Sequence, residues 1–286
     1  MCSSNGYSFI NKLFIPYDQT LKYEDPIPNL GDCMEQAGLR GVILVAGKGT
    51  RLRPLTCITS KALLPVYDRP MIMHPIDTLM GIGVRDICIV TNPQHLPDFR
   101  KVLGSGARIG IRIRYAIQTR QHGIAHALLQ AKGRSDGAGK IVAVLGDNLF
   151  GGVQMPKGAL NDDNAYVFLK RVRDPRSFGV ATIDREGNIV GIEEKPARPK
   201  SDMAVTGLYV YPSDVFRVIK ELRPSARGEV EITALNNRYL IEGRLRAVLL
   251  EGRWMDAGTF DSLLAASIMR ARDVGGRGYI SFLDKE

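Results

Sequence analysis

Apolar and polar residues follow two alternating patterns along the chain from residue 41 onward. Short apolar runs predict buried strands at Gly41–Val45, Ile87–Val90, Ile111–Ala116 and Ile141–Leu145. Between them, apolar residues at helical spacing predict helices at Met71–Met80, Leu96–Leu103 and Ile124–Lys132. Strands that alternate with helices of this length predict an α/β fold with a mainly parallel, Rossmann-like sheet flanked by helices. Ligands of such sheets bind at the carboxyl ends of the strands.

The second half of the chain is richer in strand patterns. Short β-type segments lie at Tyr166–Arg171, Val180–Ile183, Ile189–Glu194 and Ala204–Tyr211. Helices are predicted at Ser213–Leu222 and Thr233–Glu242, then a strand at Arg246–Leu250 and a helix from Thr259. No internal repeat is present in the sequence. These segments predict a mixed sheet with a β-rich subregion inside one domain, residues 41–286.

Residues 1–40 differ from the rest of the chain. They show no clear period and carry Pro16, Pro26 and Pro28, yet they contain more aromatic residues than a purely solvated tail. We expect residues 1–40 to be an N-terminal extension that packs on the domain or on a neighbouring subunit. The sequence assigns no function to this extension.

A loop of small residues follows the first predicted strand. Gly47 and Gly49 allow the backbone to approach a ligand closely, and successive backbone N–H groups in such a loop bind anions. Arg51 and Lys61 add two cations nearby. The loop lacks the Gly-Lys-Ser/Thr string of a P-loop, and Leu52 stands where the Rossmann fingerprint has its third glycine. The segment predicts a different kind of site for a nucleoside triphosphate.

Composition and charge narrow the possible partners. The chain has 286 residues, 44% of them hydrophobic, and a net charge of +9, which favours a polyanionic partner. The basic residues are dispersed and no nucleic-acid-binding motif is legible, so we expect no nucleic-acid partner. No apolar run is long enough to span a membrane, and the N-terminus lacks the features of a secretory signal. The four cysteines show neither metal-ligand nor disulfide spacing. We expect a cytoplasmic protein that binds no membrane.

A series of motifs resembles one known family, the sugar-1-phosphate nucleotidylyltransferases. Its signature stands here as GKGTRLRPLT and SKALLPV, and the likeness continues through YDRPMIMHPIDTLMGIGVRDICIVTNPQ and VLGDNLF. It reappears as IEEKPARPKSDMAVTGLYVY, LRPSARGEVEITALN and WMDAGT, in the family's order. The resemblance therefore covers nearly all of the chain after Gly41. It implies transfer of a nucleoside monophosphate from a triphosphate to a sugar-1-phosphate, with release of pyrophosphate and dependence on Mg²⁺.

The resemblance also implies roles for individual residues. Arg51, Lys61 and Lys195 would be catalytic, and Asp147 and Asp256 would hold Mg²⁺, a hard cation that takes oxygen ligands. The residues that would bind the nucleotide are Ala46, Gly47, Gly49, Thr50, Arg51, Gln118 and Gly123. Those that would bind the sugar phosphate are Asn148, Gly179, Glu194, Lys195 and Val205. We further expect a homo-oligomer.

The base and the sugar are the least determined features of this interpretation. The amide of Gln118 offers a donor and an acceptor, so it can pair with a pyrimidine. However, Thr119–His122 replace the Pro-Ser-Pro-Asp of members that use dTTP. We expect dTTP with glucose-1-phosphate. The same chemistry with UTP, CTP or GTP and another sugar-1-phosphate is an alternative, as is a non-catalytic nucleotide-sugar sensor.

Overall fold

The computed structural model describes residues 38–135 and 137–275. The predicted extension lies outside this range except for its last three residues, and Leu39 and Arg40 already belong to the first strand. The first seven strands are β1 (Leu39–Leu44), β2 (Pro65–Val66), β3 (Arg69–Pro70), β4 (Asp86–Thr91), β5 (Arg112–Ile117), β6 (Lys140–Leu145) and β7 (Asn148–Phe150). The remaining strands are β8 (Ala165–Arg171), β9 (Gly179–Ile183), β10 (Ile189–Glu194), β11 (Met203–Pro212), β12 (Leu245–Leu249) and β13 (Trp254–Asp256). The α-helices are α1 (Met73–Gly81), α2 (Leu96–Leu103), α3 (Ile124–Leu129), α4 (Val215–Glu221), α5 (Ile232–Ile241) and α6 (Phe260–Asp273).

Nine of these strands form one mixed sheet. Its order runs β10-β9-β11-β6-β1-β4-β5, and β8 joins β11 to β12. The pairs β1–β4, β1–β6, β4–β5 and β8–β12 are parallel, whereas β11 runs antiparallel to β6, β8 and β9. The prediction of a mainly parallel α/β core followed by a β-rich subregion is confirmed.

The sheet carries an apolar core on each face. Along β1, Val42 and Leu44 pack on one side, and Ile43 packs with Val45 on the other. Helices α3, α4 and α5 cover the first side, and α1 and α2 cover the second. Because successive side chains of a strand point to opposite faces, an almost continuous apolar run is what a strand buried on both faces requires.

The ten-residue strand β11 links the parallel part of the sheet, at β6, to the β-rich part, at β9. Its first half pairs with β9 and its second half pairs with β6. Its register with β8 shifts between Val205 and Tyr209, and Gly207 lies in this irregular stretch. A Cβ on Gly207 would lie 2.7 Å from Cγ of Asn148, so the absence of a side chain lets β11 approach β7.

The helix α2 and the strand β10 have the predicted boundaries, and the boundaries of the other predicted elements differ by at most three residues. Helix α3 ends at Leu129 rather than Lys132 because the backbone N–H groups of Gln130 and Ala131 donate to carbonyls three residues back, which tightens the last turn. The short strands β7 and β13 were not predicted. Within residues 38–135 and 137–275, no helix is long and apolar enough to cross a membrane.

Candidate active site

A cleft of about 640 Å³ opens where β1 and β6 end. Most of the site residues predicted from the sequence line it: Ala46, Gly47, Arg51, Lys61, Gln118, Gly123, Asp147, Asn148, Gly179, Glu194, Lys195, Val205 and Asp256. Gly49 and Thr50 are not part of its wall. One cleft therefore brings together residues that lie more than 200 positions apart in the sequence.

The loop that contains Gly47 and Gly49 lines the cleft with its first residues, Ala46 and Gly47. Gly49 adopts φ 61° and begins a 3-10 turn over Thr50–Leu52, and its carbonyl accepts a hydrogen bond of 2.8 Å from the Thr56 hydroxyl. Leu52 is fully buried and anchors the turn. Gly49 and Thr50 thus shape the turn from which Arg51 reaches the cleft, and their contact with a nucleotide remains a prediction.

Two distant carboxylates meet through the small ladder formed by β7 and β13. Asp147 follows β6 and immediately precedes β7, and Asp256 is the last residue of β13. The antiparallel register pairs Asp256 with Asn148, and the backbone N–H of Ala257 donates to the carbonyl of Asp147 at 2.8 Å. These contacts position Asp256 beside Asp147.

The charges around this pair shift the pKa values of both carboxyl groups. Asp147, which is 8% exposed, forms an ion pair with the Lys61 ammonium and accepts a hydrogen bond of 3.1 Å from Nδ2 of Asn148. Burial alone would raise the pKa of Asp147, but Lys61 and Asn148 hold it below its usual value. Burial and the charge of Asp147 raise the pKa of Asp256 to about 6, against the opposing effect of Lys61 and Arg51. The cation Lys61 lowers the pKa of both carboxyl groups, but the negative charge of Asp147 opposes ionisation of Asp256.

The carboxylates of Asp147 and Asp256 suit a divalent cation whose remaining ligands come from the substrate and from water. Asp147 and Asp256 supply carboxylate oxygens, and their mutual repulsion would be relieved by a cation between them. Among the described residues, no group of three or more His, Cys, Asp or Glu side chains is arranged to hold a metal ion. Mg²⁺ commonly takes one or two protein carboxylates and completes its shell with water and substrate phosphates. The two carboxylates fit that role.

Gly258 leaves the space in which Asp256 and Arg51 approach each other. A Cβ on Gly258 would lie 2.5 Å from Oδ1 of Asp256 and 2.7 Å from Nη2 of Arg51. Gly258→Ala is expected to displace both side-chain ends, which can move without disturbing the backbone. We predict a kcat/KM lower by roughly 10- to 100-fold and a free energy of unfolding within about 1 kcal/mol of wild type. Steady-state kinetics and urea unfolding check this.

The matched control is Gly81→Ala, since no atom lies within 4 Å of a Cβ at the exposed Gly81. It should leave kcat/KM unchanged. Full activity in Gly258→Ala would contradict the packing of Arg51 against Asp256.

Asn148 is held rigidly beside the acidic pair. Its Oδ1 accepts hydrogen bonds from the backbone N–H of Gly207 at 3.0 Å and from Nε1 of Trp254 at 2.7 Å. The ring of Trp254 contacts Phe178 edge-on, with 5.1 Å between centroids. Asn148 is 1% exposed, so these donors fix its amide and leave Nδ2 bound to Asp147.

Glu194 and Lys195 also line the cleft. The Glu194 carboxylate accepts a hydrogen bond from the Thr233 hydroxyl, and its Oε1 lies 3.5 Å from Nζ of Lys195. Lys195 adopts φ 44°, which is uncommon for a residue with a side chain, and its backbone N–H donates to the carbonyl of Phe178 at 3.0 Å. This backbone conformation directs the chain sharply out of β10, and Lys195 lines the cleft.

Several lining residues were not predicted, among them Gln121, Arg176, Tyr209 and Thr233. Gln121 donates to the carbonyl of Ala46 at 2.8 Å and so links the altered Thr119–His122 segment to the glycine loop. Thr233 lies within the LRPSARGEVEITALN motif, and that position could have suggested it. Tyr209 likewise lies within the IEEKPARPKSDMAVTGLYVY motif, although its position in an apolar strand gives no reason to single it out.

The profile of the nucleotidyl transferase family matches residues 40–272. The chain belongs to this family. Glucose-1-phosphate thymidylyltransferase of Mycobacterium tuberculosis is 45% identical over 234 residues, which cover 80% of this chain and 81% of the relative. Its namesake in Neisseria gonorrhoeae is 44% identical over 236 residues, with 80% and 81% coverage.

Solved structures of this nucleotidyl transferase fold agree with the architecture. A Bacillus anthracis protein named as a glucose-1-phosphate thymidylyltransferase, crystallised with sucrose, superposes with a TM-score of 0.75 at 43% identity. The alignment covers 82% of this chain and 96% of that one. A UDP-glucose pyrophosphorylase in complex with UDP-glucose has a TM-score of 0.71 at 24% identity, with 82% and 99% coverage, and supports the fold alone.

Proposed function

We propose that this nucleotidyltransferase joins a nucleoside monophosphate from dTTP to glucose-1-phosphate and releases pyrophosphate. The observation that carries the proposal is the convergence of Lys61, Asp147 and Asp256 with Arg51 in a cleft that Glu194 and Lys195 also line. The names of the relatives support the choice of dTTP and glucose-1-phosphate.

The reaction needs positioning and charge neutralisation more than proton transfer. A phosphate oxygen of the sugar-1-phosphate attacks the α-phosphorus, the α–β bridging P–O bond breaks, and pyrophosphate leaves with the electron pair. The attacking oxygen is already anionic, so no general base is required. Arg51 and Lys61 would neutralise charge at the triphosphate, and Lys195 would hold the sugar phosphate.

Asp147 and Asp256 are the residues that would hold Mg²⁺ in this reaction. Bound Mg²⁺ would supply a divalent charge for the triphosphate oxygens. The protein's own contribution is to keep both carboxylates close, one through the Lys61 ion pair and the other through the β7–β13 ladder. Asn148 would meet the sugar from its fixed position beside Asp147.

Pyrophosphate release tests this proposal. With Mg²⁺ and glucose-1-phosphate present, we expect dTTP to give the highest kcat/KM among dTTP, UTP, CTP, GTP and ATP. A higher value with another triphosphate would keep the chemistry and contradict the choice of dTTP. Absence of release with every triphosphate, repeated with other hexose-1-phosphates, would contradict the proposed reaction and favour the sensor.

A further inference from the structure

The ammonium of Lys170, on β8, donates to three backbone carbonyl oxygens. They belong to consecutive residues and lie at 3.0 Å in Leu250, 3.2 Å in Glu251 and 2.8 Å in Gly252. A lysine ammonium has three N–H donors and no acceptor, so these carbonyls can use all of its donors at once. The three carbonyls, here called the carbonyl cage, therefore surround a positive charge that is attached to β8.

The carbonyl cage needs a donor at its centre. A backbone carbonyl that is withdrawn from water without a donor costs free energy, and three carbonyl oxygens that face one point also repel one another. Rings of backbone carbonyls bind K⁺ in channels because they replace the hydration shell of that ion. Hydrogen bonds from an ionised donor are shorter and stronger than those between neutral groups. The Lys170 ammonium meets this need without a bound ion.

The carbonyl cage lies between the large sheet and the β7–β13 ladder. At its start, the backbone N–H of Leu250 donates to the carbonyl of Leu169 on β8 at 2.9 Å. At its end, a Cβ on Gly252 would collide with the carbonyl oxygen of Gly151, which immediately follows β7. The backbone N–H of Gly151 donates to the carbonyl of Arg253 at 2.8 Å. The cage therefore leads directly from β8 into β13.

Strand β13 is too short to fix its own register firmly. It has three residues, and its pairing with β7 places Asp256 opposite Asn148. Its first residue, Trp254, donates from Nε1 to Oδ1 of Asn148 at 2.7 Å. A shift of one residue along a strand turns every side chain to the other face. The chain before β13 must therefore be held in place if Asp256 is to stay beside Asp147.

We propose that Lys170 is a positioning residue whose ammonium holds the carbonyl cage and thereby sets the register of β13. The role of Asp256 that this register serves rests on the proposed function. Lys170 is not part of the wall of the cleft, so it acts through β13 rather than on substrate. Because Lys170 is half-buried and Glu251 is exposed, a small cation can reach the cage when the side chain is shortened. NH₄⁺ offers the same donors as the lysine ammonium.

Lys170→Ala, measured with and without NH₄⁺, tests this inference. The chain has a single tryptophan, so the fluorescence of Trp254 reports on β13 without substrate or metal. We expect kcat/KM for pyrophosphate release to fall by roughly 10-fold or more, and we expect the emission of Trp254 to shift and its quenching by acrylamide to increase. NH₄⁺ should restore most of both properties. Tetramethylammonium at the same concentration, which is too large for the cage and has no N–H donor, should not.

A purely structural role of Lys170 predicts a different result. The free energy of unfolding would fall, but the folded variant would keep the emission and the kcat/KM of wild type. Urea unfolding identifies conditions in which each variant is folded. Lys170→Met keeps most of the apolar stem and should show the same losses as Lys170→Ala. Lys220→Ala, on the exposed surface of α4, is the matched control and should behave as wild type with either salt.

Two results would overturn the inference. One is wild-type emission and wild-type kcat/KM in a folded Lys170→Ala or Lys170→Met variant. The other is a loss in Lys170→Ala that NH₄⁺ restores no better than tetramethylammonium does. Failure of the proposed function looks different, because wild type would then release no pyrophosphate with any triphosphate while the emission of Trp254 still reported on Lys170.

Discussion

Asp256→Asn is expected to reduce turnover by at least about 100-fold. This loss is larger than the decrease in activity expected when a residue that only hydrogen-bonds to a metal ligand is replaced. The amide keeps the shape of the side chain but removes one of the two carboxylates available for Mg²⁺. It should not weaken the fold. Burial and Asp147 raise the pKa of Asp256 to about 6, so at pH 7 the charged carboxylate is less favourable in the folded chain than in the unfolded one.

The sign of the stability effect follows from that shift. Because the pKa of the Asp256 carboxyl group is higher in the folded chain, the free energy of unfolding falls as the pH rises from about 4 through 6. This loss of stability is complete at about pH 7. Asp256→Asn removes this cost, so the free energy of unfolding measured with EDTA should be unchanged or higher by up to about 2 kcal/mol. Asp163→Asn, at an exposed carboxylate, is the control for both measurements. Wild-type turnover in Asp256→Asn would contradict its assignment to the metal.

Lys61→Met is expected to damage both activity and stability. The Lys61 ammonium pairs with Asp147 and would neutralise triphosphate charge, so we predict a kcat/KM lower by at least about 100-fold. Removing one partner leaves Asp147 buried without its cation. Because the Lys61 side chain is 22% exposed, the expected loss is about 2–3 kcal/mol, at or below the range for fully buried pairs.

A double variant separates these two effects. Lys61→Met combined with Asp147→Asn removes both charges, so urea unfolding should show that most of the lost stability returns while activity does not. Lys101→Met, on the exposed surface of α2, is the control for loss of a lysine. A double variant as unstable as Lys61→Met would contradict a stabilising ion pair between Lys61 and Asp147.

The sequence predicts those parts of the fold where periodicity is strong. Strands β4 and β6 begin and end within one residue of their predicted positions, because a strand buried on both faces leaves a long apolar run. The turn at Gly49 is equally legible, since its positive φ calls for glycine. These features carry local signals that do not depend on the rest of the chain.

The contacts that complete the site carry no such local signal. The strands β7 and β13 are three residues long, and their pairing joins segments about 100 positions apart, so no periodicity indicates that Asp256 lies beside Asn148. The link from Gln118 to His126 depends on how the chain turns at Gly123 and on its contact with Val230. The motifs suggested which residues form the site, whereas tertiary packing determines how they are oriented.

Identification of the product tests the central claim most directly. The protein would be incubated with dTTP labelled at the α-phosphorus, unlabelled glucose-1-phosphate and Mg²⁺, and the products separated and weighed by mass spectrometry. We predict that the label appears in dTDP-glucose, with one pyrophosphate released for each molecule formed and none released without the sugar phosphate. Label found only in dTMP or dTDP, or pyrophosphate release independent of glucose-1-phosphate, would contradict transfer to the sugar phosphate.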